Sequence, residues 1–394
     1  MNEYAEITQM LSKGTVVQGL DFNNPLVFPF FPATAFRKRS LTEAMDASIS
    51  PFSYIRINNP NREALAEVVN YLEQGEKSLI FSAGMGAIST TLFALLEPGD
   101  EIICNRNIYG ETHRIMSVIL KKFRISTNFV NFDDIQNIRD AITPKTKLIY
   151  SEVCSNPVLH VADVPEIAKI AHQNNCLLMI DNTFTTPIAI KPFTLGADIV
   201  INSLTKYMNG HSDVIGGSIT TSAELMKQIE AYCIRMGTSG DPYASFTMLK
   251  NFGTMHLRVR TQMANAAKLA KALEENQLVK KVNHPSLKSY PQHELAMKLF
   301  EHPERISGML SFELSGDIKK VDEFMSRLSF VSYAGTLGGI HTTLMHPVST
   351  SHKEVPVAER EAMGITSSLM RISTGIEDAD DLIAEFNYAL EVLA

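Results

Sequence analysis

The chain has 394 residues, 45% hydrophobic and 20% charged, which is more than one small core needs and too apolar for a disordered protein. Its 36 Lys and Arg against 43 Asp and Glu leave a formal net charge of -7, so no overall positive field exists to draw nucleic acid or an anionic membrane surface. Four scattered cysteines without a Cys-x-x-Cys pair, a start (MNEYAEITQM) without basic or apolar signal regions, and no apolar run near the roughly 20 residues of a membrane helix point to a cytoplasmic protein with small-molecule partners and no membrane span.

Residues 1–55 lack periodicity and carry the proline-broken patch VFPFFPATAF, which reads as an ordered arm. Residues 56–254 form a first domain. From Arg62 to Glu73 the apolar Leu65, Val68, Val69 and Leu72 recur at helical spacing, predicting an amphipathic helix that ends near Gly75, followed at once by a strand, KSLIF. Short apolar runs (EIIC, KLIYSEV, CLLMID, DIVINS) then alternate with stretches long enough for a helix, such as ALLEPGD or VADVPEIAKIAHQNN. This predicts an α/β fold with a mostly parallel sheet and helices on both faces. Residues 255–394 change texture: a long Ala/Lys/Leu helix from Met263 to Glu275, the run GMLSFEL and a final helix from about Asp380 to Leu393 predict a smaller C-terminal α+β domain. No fixed-period repeat suggests a solenoid.

Three segments carry chemistry. Asp181 closes the buried run CLLMI, at the end of a parallel strand where open α/β sheets bind ligands; alone it reads equally as a cap or loop anchor. DIVINS runs into LTKYMNGHSD, which brings Ser203, Thr205 and Lys206 into a polar turn beside Asp181, although a lone lysine after a strand is usually solvated. Pyridoxal phosphate needs an amine for its aldehyde, hydroxyls for its phosphate and an acid on its ring nitrogen, and this trio with Asp181 supplies them. FSAGMGAIST follows KSLIF and opens a helix whose free N–H groups, approached closely through Gly84, suit an anion; the alternative is a small-residue packing turn.

With these segments the chain resembles the Cys/Met-metabolism family of pyridoxal-phosphate enzymes, which includes cystathionine γ-synthase, cystathionine γ-lyase, cystathionine β-lyase and methionine γ-lyase. The likeness rests on YIRINNP at Tyr54, SAGMGA at Ser82, YGETHR at Tyr109, SEVCSNP at Ser151, IDNTFTTP at Ile180, NSLTKYMNGHSDVIGG at Asn202, GTLGG at Gly335 and MRISTGIED at Met370. It implies a fold-type I enzyme using pyridoxal 5'-phosphate, with Lys206 as the Schiff-base lysine and catalytic base, Asp181 on the ring nitrogen, and Ser203, Thr205, Gly84 and Met85 on the phosphate. Tyr109 would stack on the ring and take part in catalysis, and Asn156 would reach the ring hydroxyl. Tyr54 and Arg56 would reach the phosphate of the neighbouring subunit, making a dimer the minimum unit and a homotetramer the usual one, with the arm contacting that neighbour. Arg371 would anchor the substrate α-carboxylate; from the residues alone it reads as an exposed arginine.

The resemblance implies γ-elimination or γ-replacement on a γ-substituted amino acid of sulfur metabolism. A lysine serves as base only if its pKa, ordinarily roughly 10.4, is lowered, with Tyr109 and the cofactor linkage as expected causes. Arg114 matches an arginine that holds a distal carboxylate in cystathionine-handling members, against the alternative of a surface ion pair with Glu111. It favours cystathionine or a succinyl-type ester over methionine. Methionine or homocysteine γ-lyase, cystathionine β-lyase, an aminotransferase and a non-catalytic cofactor-binding regulator are the other readings. Two departures from the family pattern touch leaving-group recognition, Gly335 standing for a glutamate and Thr336 for the loop serine, and a third, Ile57 standing for an arginine, implies weaker distal-carboxylate binding than in a γ-synthase. Thr336 is retained as a substrate-binding residue. His341, His346 and His352 have spacings that suit neither one helix face nor a zinc pair, so no metal is expected.

Overall fold

Asn59 starts the first long helix, Pro60–Glu73: its side chain accepts from the Asn61 N–H, and Pro60 sits at the first turn, where no donor is missed. Gln74 ends it in the left-handed region at φ 57°, and Leu65, Val68, Val69 and Leu72 are buried as their spacing predicts. The computed structural model describes residues 5–14, 25–49, 51–302, 304–316, 318–353 and 355–393. Positions 1–4, 15–24 and 50 of the predicted arm lie outside the described residues. The arm's proline-rich stretch is non-helical and is tied to the same chain: Phe31 N–H donates to Asn61 Oδ1 at 2.8 Å and Asn59 Nδ2 to the Phe31 carbonyl at 3.0 Å.

Seven strands form the first sheet: β1 (Lys77–Phe81), β2 (Glu101–Asn105), β3 (Ser126–Val130), β4 (Thr146–Glu152), β5 (Leu177–Asp181), β6 (Ile199–Asn202) and β7 (Gly217–Thr221). Their order is β1-β7-β6-β5-β4-β2-β3. The pairs from β6 through β3 are parallel, whereas β7 runs antiparallel to both neighbours. Strand period two splits the apolar residues between two cores. Ile80, Ile103, Ile149, Leu178, Ile180 and Val200 pack with the helices Pro60–Glu73 and Val164–Gln173. Phe81, Ile102, Leu148, Tyr150, Met179 and Ile201 pack with Gly84–Leu95 and Ala223–Met236 on the other face. Burial on both faces explains why the parallel strands read as continuous apolar runs. One spacer differs from expectation: ALLEPGD holds only the end of the helix Gly84–Leu95, then turns through Pro98 and Gly99, whose φ is 110°.

The second sheet, in order β10-β11-β12-β9-β8, contains β8 (Val279–Asn283), β9 (Met309–Leu314), β10 (Ser332–Tyr333), β11 (Thr343–Met345) and β12 (Leu369–Ser373). The helices Met255–Glu275, Ile318–Arg327 and Ala379–Leu390 pack on the side of β9 and β12 that carries Leu310, Phe312, Met370 and Ile372. The first begins eight residues before the predicted Met263 because Met255 and Val259 are needed in the first core, while Leu269 and Leu273 serve the second. The last gives way at Glu391–Leu393 to a 3-10 turn.

Candidate active site

Strands β1, β2, β4, β5 and β6 run in one direction, so Phe81, Asn105, Glu152, Asp181 and Asn202 end at a common edge of the sheet. A cavity of about 370 Å³ opens there, the location expected of a ligand site in an open α/β sheet. Lys206, Asp181, Ser203, Thr205, Gly84, Met85, Asn156, Tyr109 and Arg371, named from widely separated segments, all line it.

The turn after β6 is built by its own backbone. Lys206 N–H donates to the Ser203 carbonyl at 3.2 Å and Gly210 N–H to the Lys206 carbonyl at 2.8 Å. Thr205 Oγ1 donates to the Gly216 carbonyl at 3.1 Å and accepts its N–H at 3.0 Å. From the second sheet, Gly338 at φ 78° presses on this turn, at a position where a Cβ would lie 2.4 Å from Tyr207 N. Lys206 Nζ points to Thr336, donating to its Oγ1 at 3.5 Å. Burial, and then the positive charge of Arg371, holds the amine below the ordinary lysine range. Tyr109 is not among the groups that lower it, contrary to the sequence expectation.

Arg371 departs most from what its residue type suggests. It is buried on β12, between Ser311 of β9 and Met345 of β11, and is not an exposed arginine. Its Nη1 donates to Asn156 Oδ1 at 3.1 Å and its Nη2 to the Thr336 carbonyl at 3.2 Å, while Nε has no described partner. A buried guanidinium with a spare donor, held only by neutral oxygens, is suited to an anion.

At the opposite wall Asp181 Oδ1 accepts the Thr183 N–H at 2.9 Å. Beside it in register stands Glu152, which the sequence reading passed over although it too is an acid closing an apolar parallel strand. Glu152 Oε1 accepts the Tyr109 N–H at 2.7 Å and Oε2 the Asn156 N–H at 3.2 Å, so one carboxyl fixes two of the predicted cofactor contacts. Burial, reinforced for Glu152 by the neighbouring Asp181, pushes both acids above their ordinary range. The other groups acting on Asp181 are Thr183 and Tyr150, neither of them basic. No described neighbour gives Asp181 a cationic partner, and a protonated pyridine nitrogen would supply one.

The phosphate side also suits its expected group. The helix Gly84–Leu95 has no side-chain cap, and its first hydrogen bond is Ala87 N–H to Ala83 O, which leaves the Gly84, Met85 and Gly86 N–H groups outside the helical ladder. A Cβ at Gly84 would lie 3.1 Å from Ser203 Cβ, so glycine is what lets this helix approach the Ser203 turn. Donors, hydroxyls, amine and acid pair thus fit pyridoxal phosphate on the residues present.

Three predicted residues lie elsewhere. Tyr54 and Arg56 do not line this cavity: Arg56 Nη1 donates to the Ile234 carbonyl at 2.9 Å and its guanidinium lies 5.5 Å from the centre of the Tyr54 ring. Arg114 lines an adjoining cavity with Arg106, His113 and Lys353, which shares Gly110, Glu111, Thr350 and Ser351 with the first. His346 has its ring nitrogens near Ser349 Oγ (3.1 Å) and the Ser367 carbonyl (2.9 Å), and among the described residues no three His, Cys, Asp or Glu side chains form a metal-binding group.

Comparison with known proteins gives the same picture. The profile of the Cys/Met metabolism PLP-dependent enzymes matches residues 10–391. An L-methionine gamma-lyase of Fusobacterium nucleatum subsp. polymorphum is 36% identical over 343 residues, 86% of either chain. A cystathionine beta-lyase of Lactococcus lactis subsp. cremoris is 37% identical over 364 residues, covering 92% of this chain and 93% of that one. A solved cystathionine gamma synthase from Xanthomonas oryzae pv. oryzae, in complex with aminoacrylate and cysteine, superposes with a TM-score of 0.93 at 31% identity over 100% of this chain and 99% of the other.

Proposed function

The chain belongs to the Cys/Met metabolism PLP-dependent enzyme family, and from that membership we propose that it is a trans-sulfuration enzyme of the cystathionine γ-synthase or γ-lyase kind. It eliminates or replaces the γ-substituent of an amino acid whose tail bears a second charge. The observation that carries this reading is the pair of adjoining cavities: one lined by Lys206, Asp181 and Arg371, the other rich in cations, with Arg106, Arg114 and Lys353 against Glu111.

Bound pyridoxal phosphate supplies an electron sink for charge developing at the substrate α-carbon. Around it, Arg371, whose guanidinium lines the cavity, holds the α-carboxylate, so that the α-proton is presented to Lys206. Lys206, with its amine below the ordinary lysine range, takes that proton and returns it further along the substrate. The Tyr109 phenol is pushed up by burial first and then by Glu111, so at neutral pH it is a proton donor. Asp181 keeps the ring nitrogen charged, and Ser203, Thr205, Gly84 and Met85 hold the phosphate. Thr336 orients the Lys206 amine, Asn156 links Arg371 to the ring hydroxyl, and Arg114 receives the distal carboxylate. Tyr54 and Arg56, which do not line their own cavity, complete the phosphate site of a neighbouring copy, which makes the enzyme a homodimer or a tetramer of two such dimers, working in the cytoplasm. The arm 1–55 contacts that neighbour, 56–254 binds cofactor and 255–394 is the C-terminal domain.

The test is product analysis by mass after separate incubation with cystathionine, methionine, and O-succinylhomoserine with and without cysteine. We expect turnover of cystathionine, or its formation from ester plus cysteine. Arg114→Ala is expected to raise KM for cystathionine much more than for methionine. Equal effects on both substrates would remove the charged-tail assignment.

A further inference from the structure

Glu73 ends the helix Pro60–Glu73, is fully buried, and lies outside the lining of the Lys206 cavity. Its Oε1 accepts two side-chain amides, Asn182 Nδ2 at 3.0 Å and Asn202 Nδ2 at 2.6 Å. Asn182 directly follows Asp181 at the end of β5, and Asn202 directly precedes Ser203 at the end of β6. Among the described residues two buried atoms of this cluster have no partner: Glu73 Oε2 and Asn202 Oδ1. Leaving both bare costs the desolvation of each.

One proton removes both deficits. With Oε2 protonated, Glu73 donates to Asn202 Oδ1 while Asn202 Nδ2 donates to Oε1, the reciprocal pairing of a carboxylic acid with a primary amide. Turning the Asn202 amide over does not avoid the proton, because Oδ1 would then sit 2.6 Å from Oε1, two acceptors facing each other. Asn182 is fixed separately, donating to the Ile190 carbonyl at 3.0 Å and accepting from Thr185 Oγ1 at 2.5 Å, so it anchors Glu73 rather than competing for the proton.

We propose that Glu73 is held as the neutral acid and is a positioning residue, tying the ends of β5 and β6 together so that Asp181 and the Ser203–Lys206 turn keep their separation. Burial pushes the Glu73 carboxyl up to about 7, against the opposing effects of the two amides and Lys191, so the neutral form prevails below that pH. The positional part rests on the proposed cofactor roles of Asp181 and Ser203; the protonation part does not.

The experiment compares wild type, Glu73→Gln and Glu73→Ala by cofactor titration of the apo protein, visible circular dichroism of the loaded protein, and infrared difference spectra. Glutamine reproduces the neutral acid, its Nε2 donating where Oε2–H did, so Glu73→Gln is expected to bind pyridoxal phosphate within about twofold of wild type. Glu73→Ala is expected to weaken that binding about tenfold or more, with a changed visible dichroism. The infrared difference, wild type minus Glu73→Gln, is expected to contain a protonated-carboxyl band. A Gln variant as defective as the Ala variant, or no such band, overturns the neutral acid, and the band settles that point even if Glu73→Ala does not fold. Unchanged binding in both variants overturns the positioning role. A wild type that binds no pyridoxal phosphate overturns the functional reading instead, and leaves the infrared result standing.

Discussion

Arg371 makes two hydrogen bonds in different directions and keeps a third donor spare, which one ammonium on a flexible stem cannot reproduce. Arg371→Lys is therefore expected to raise KM for any amino-acid substrate by about 10- to 100-fold, since a charged hydrogen bond is worth about 1.5–3 kcal/mol, while leaving cofactor affinity close to wild type. Steady-state kinetics beside a cofactor titration checks both halves. Residue type and neighbours in sequence could not give this burial, because it comes from pairing β12 with β9 and β11, segments far apart in the chain. Asp181 and Lys206 were legible for the opposite reason: each sits one short step from an apolar run that marks its own strand. Glu152 carried the same mark, in KLIYSE, and was within reach of the same argument.

Among the elements, legibility followed burial. Strands β4, β5 and β6 are covered on both faces and announce themselves as apolar runs. Strand β7, GSITT, is equally buried but pairs two of its three hydroxyls internally: Thr220 Oγ1 lies 2.6 Å from Ser78 Oγ, and Thr221 Oγ1 donates to the Asp198 carbonyl at 2.6 Å, while Ser218 Oγ has no described partner. A hydropathy pattern cannot register such pairing. The loop Gly335–Gly339 is the element that joins the second sheet to Lys206, and Gly338 is its point of contact: its N–H donates to Ser373 Oγ at 2.8 Å, and Gln262 Nε2 reaches its carbonyl at 3.3 Å. Gly338→Ala forces a Cβ onto the Tyr207 backbone at an unfavourable φ. The expected loss is about 1–3 kcal/mol in denaturant unfolding, with a larger proportional fall in kcat than in cofactor affinity. Unchanged kcat would mean that the loop does not aim the lysine.

At the scale of the whole molecule, the arm presents Leu26, Val27, Leu41 and Met45 largely to solvent, close in sequence to Tyr54 and Arg56. Apolar exposure of this extent is what an intersubunit surface looks like from one side. If Arg56 serves the neighbour's phosphate, Lys206→Ala and Arg56→Ala are each inactive or weak alone but recover activity when mixed and allowed to exchange subunits, because one site of each hybrid then has both residues. Sites contained within single chains would show no recovery. The four cysteines are buried, unbridged thiols, so exchange can be run in reductant without touching a structural bond.

The spare donor on Arg371 also bears on how the enzyme is handled at the bench. A guanidinium that waits for a carboxylate does not distinguish a substrate's from a buffer's. Acetate and formate should act as weak competitive inhibitors, with Ki values of roughly 10–100 mM, which is what one charged hydrogen bond of about 1.5–3 kcal/mol supports. Assays in acetate would overstate KM in proportion to buffer concentration, and the same dilution series in a zwitterionic amine buffer would leave it flat.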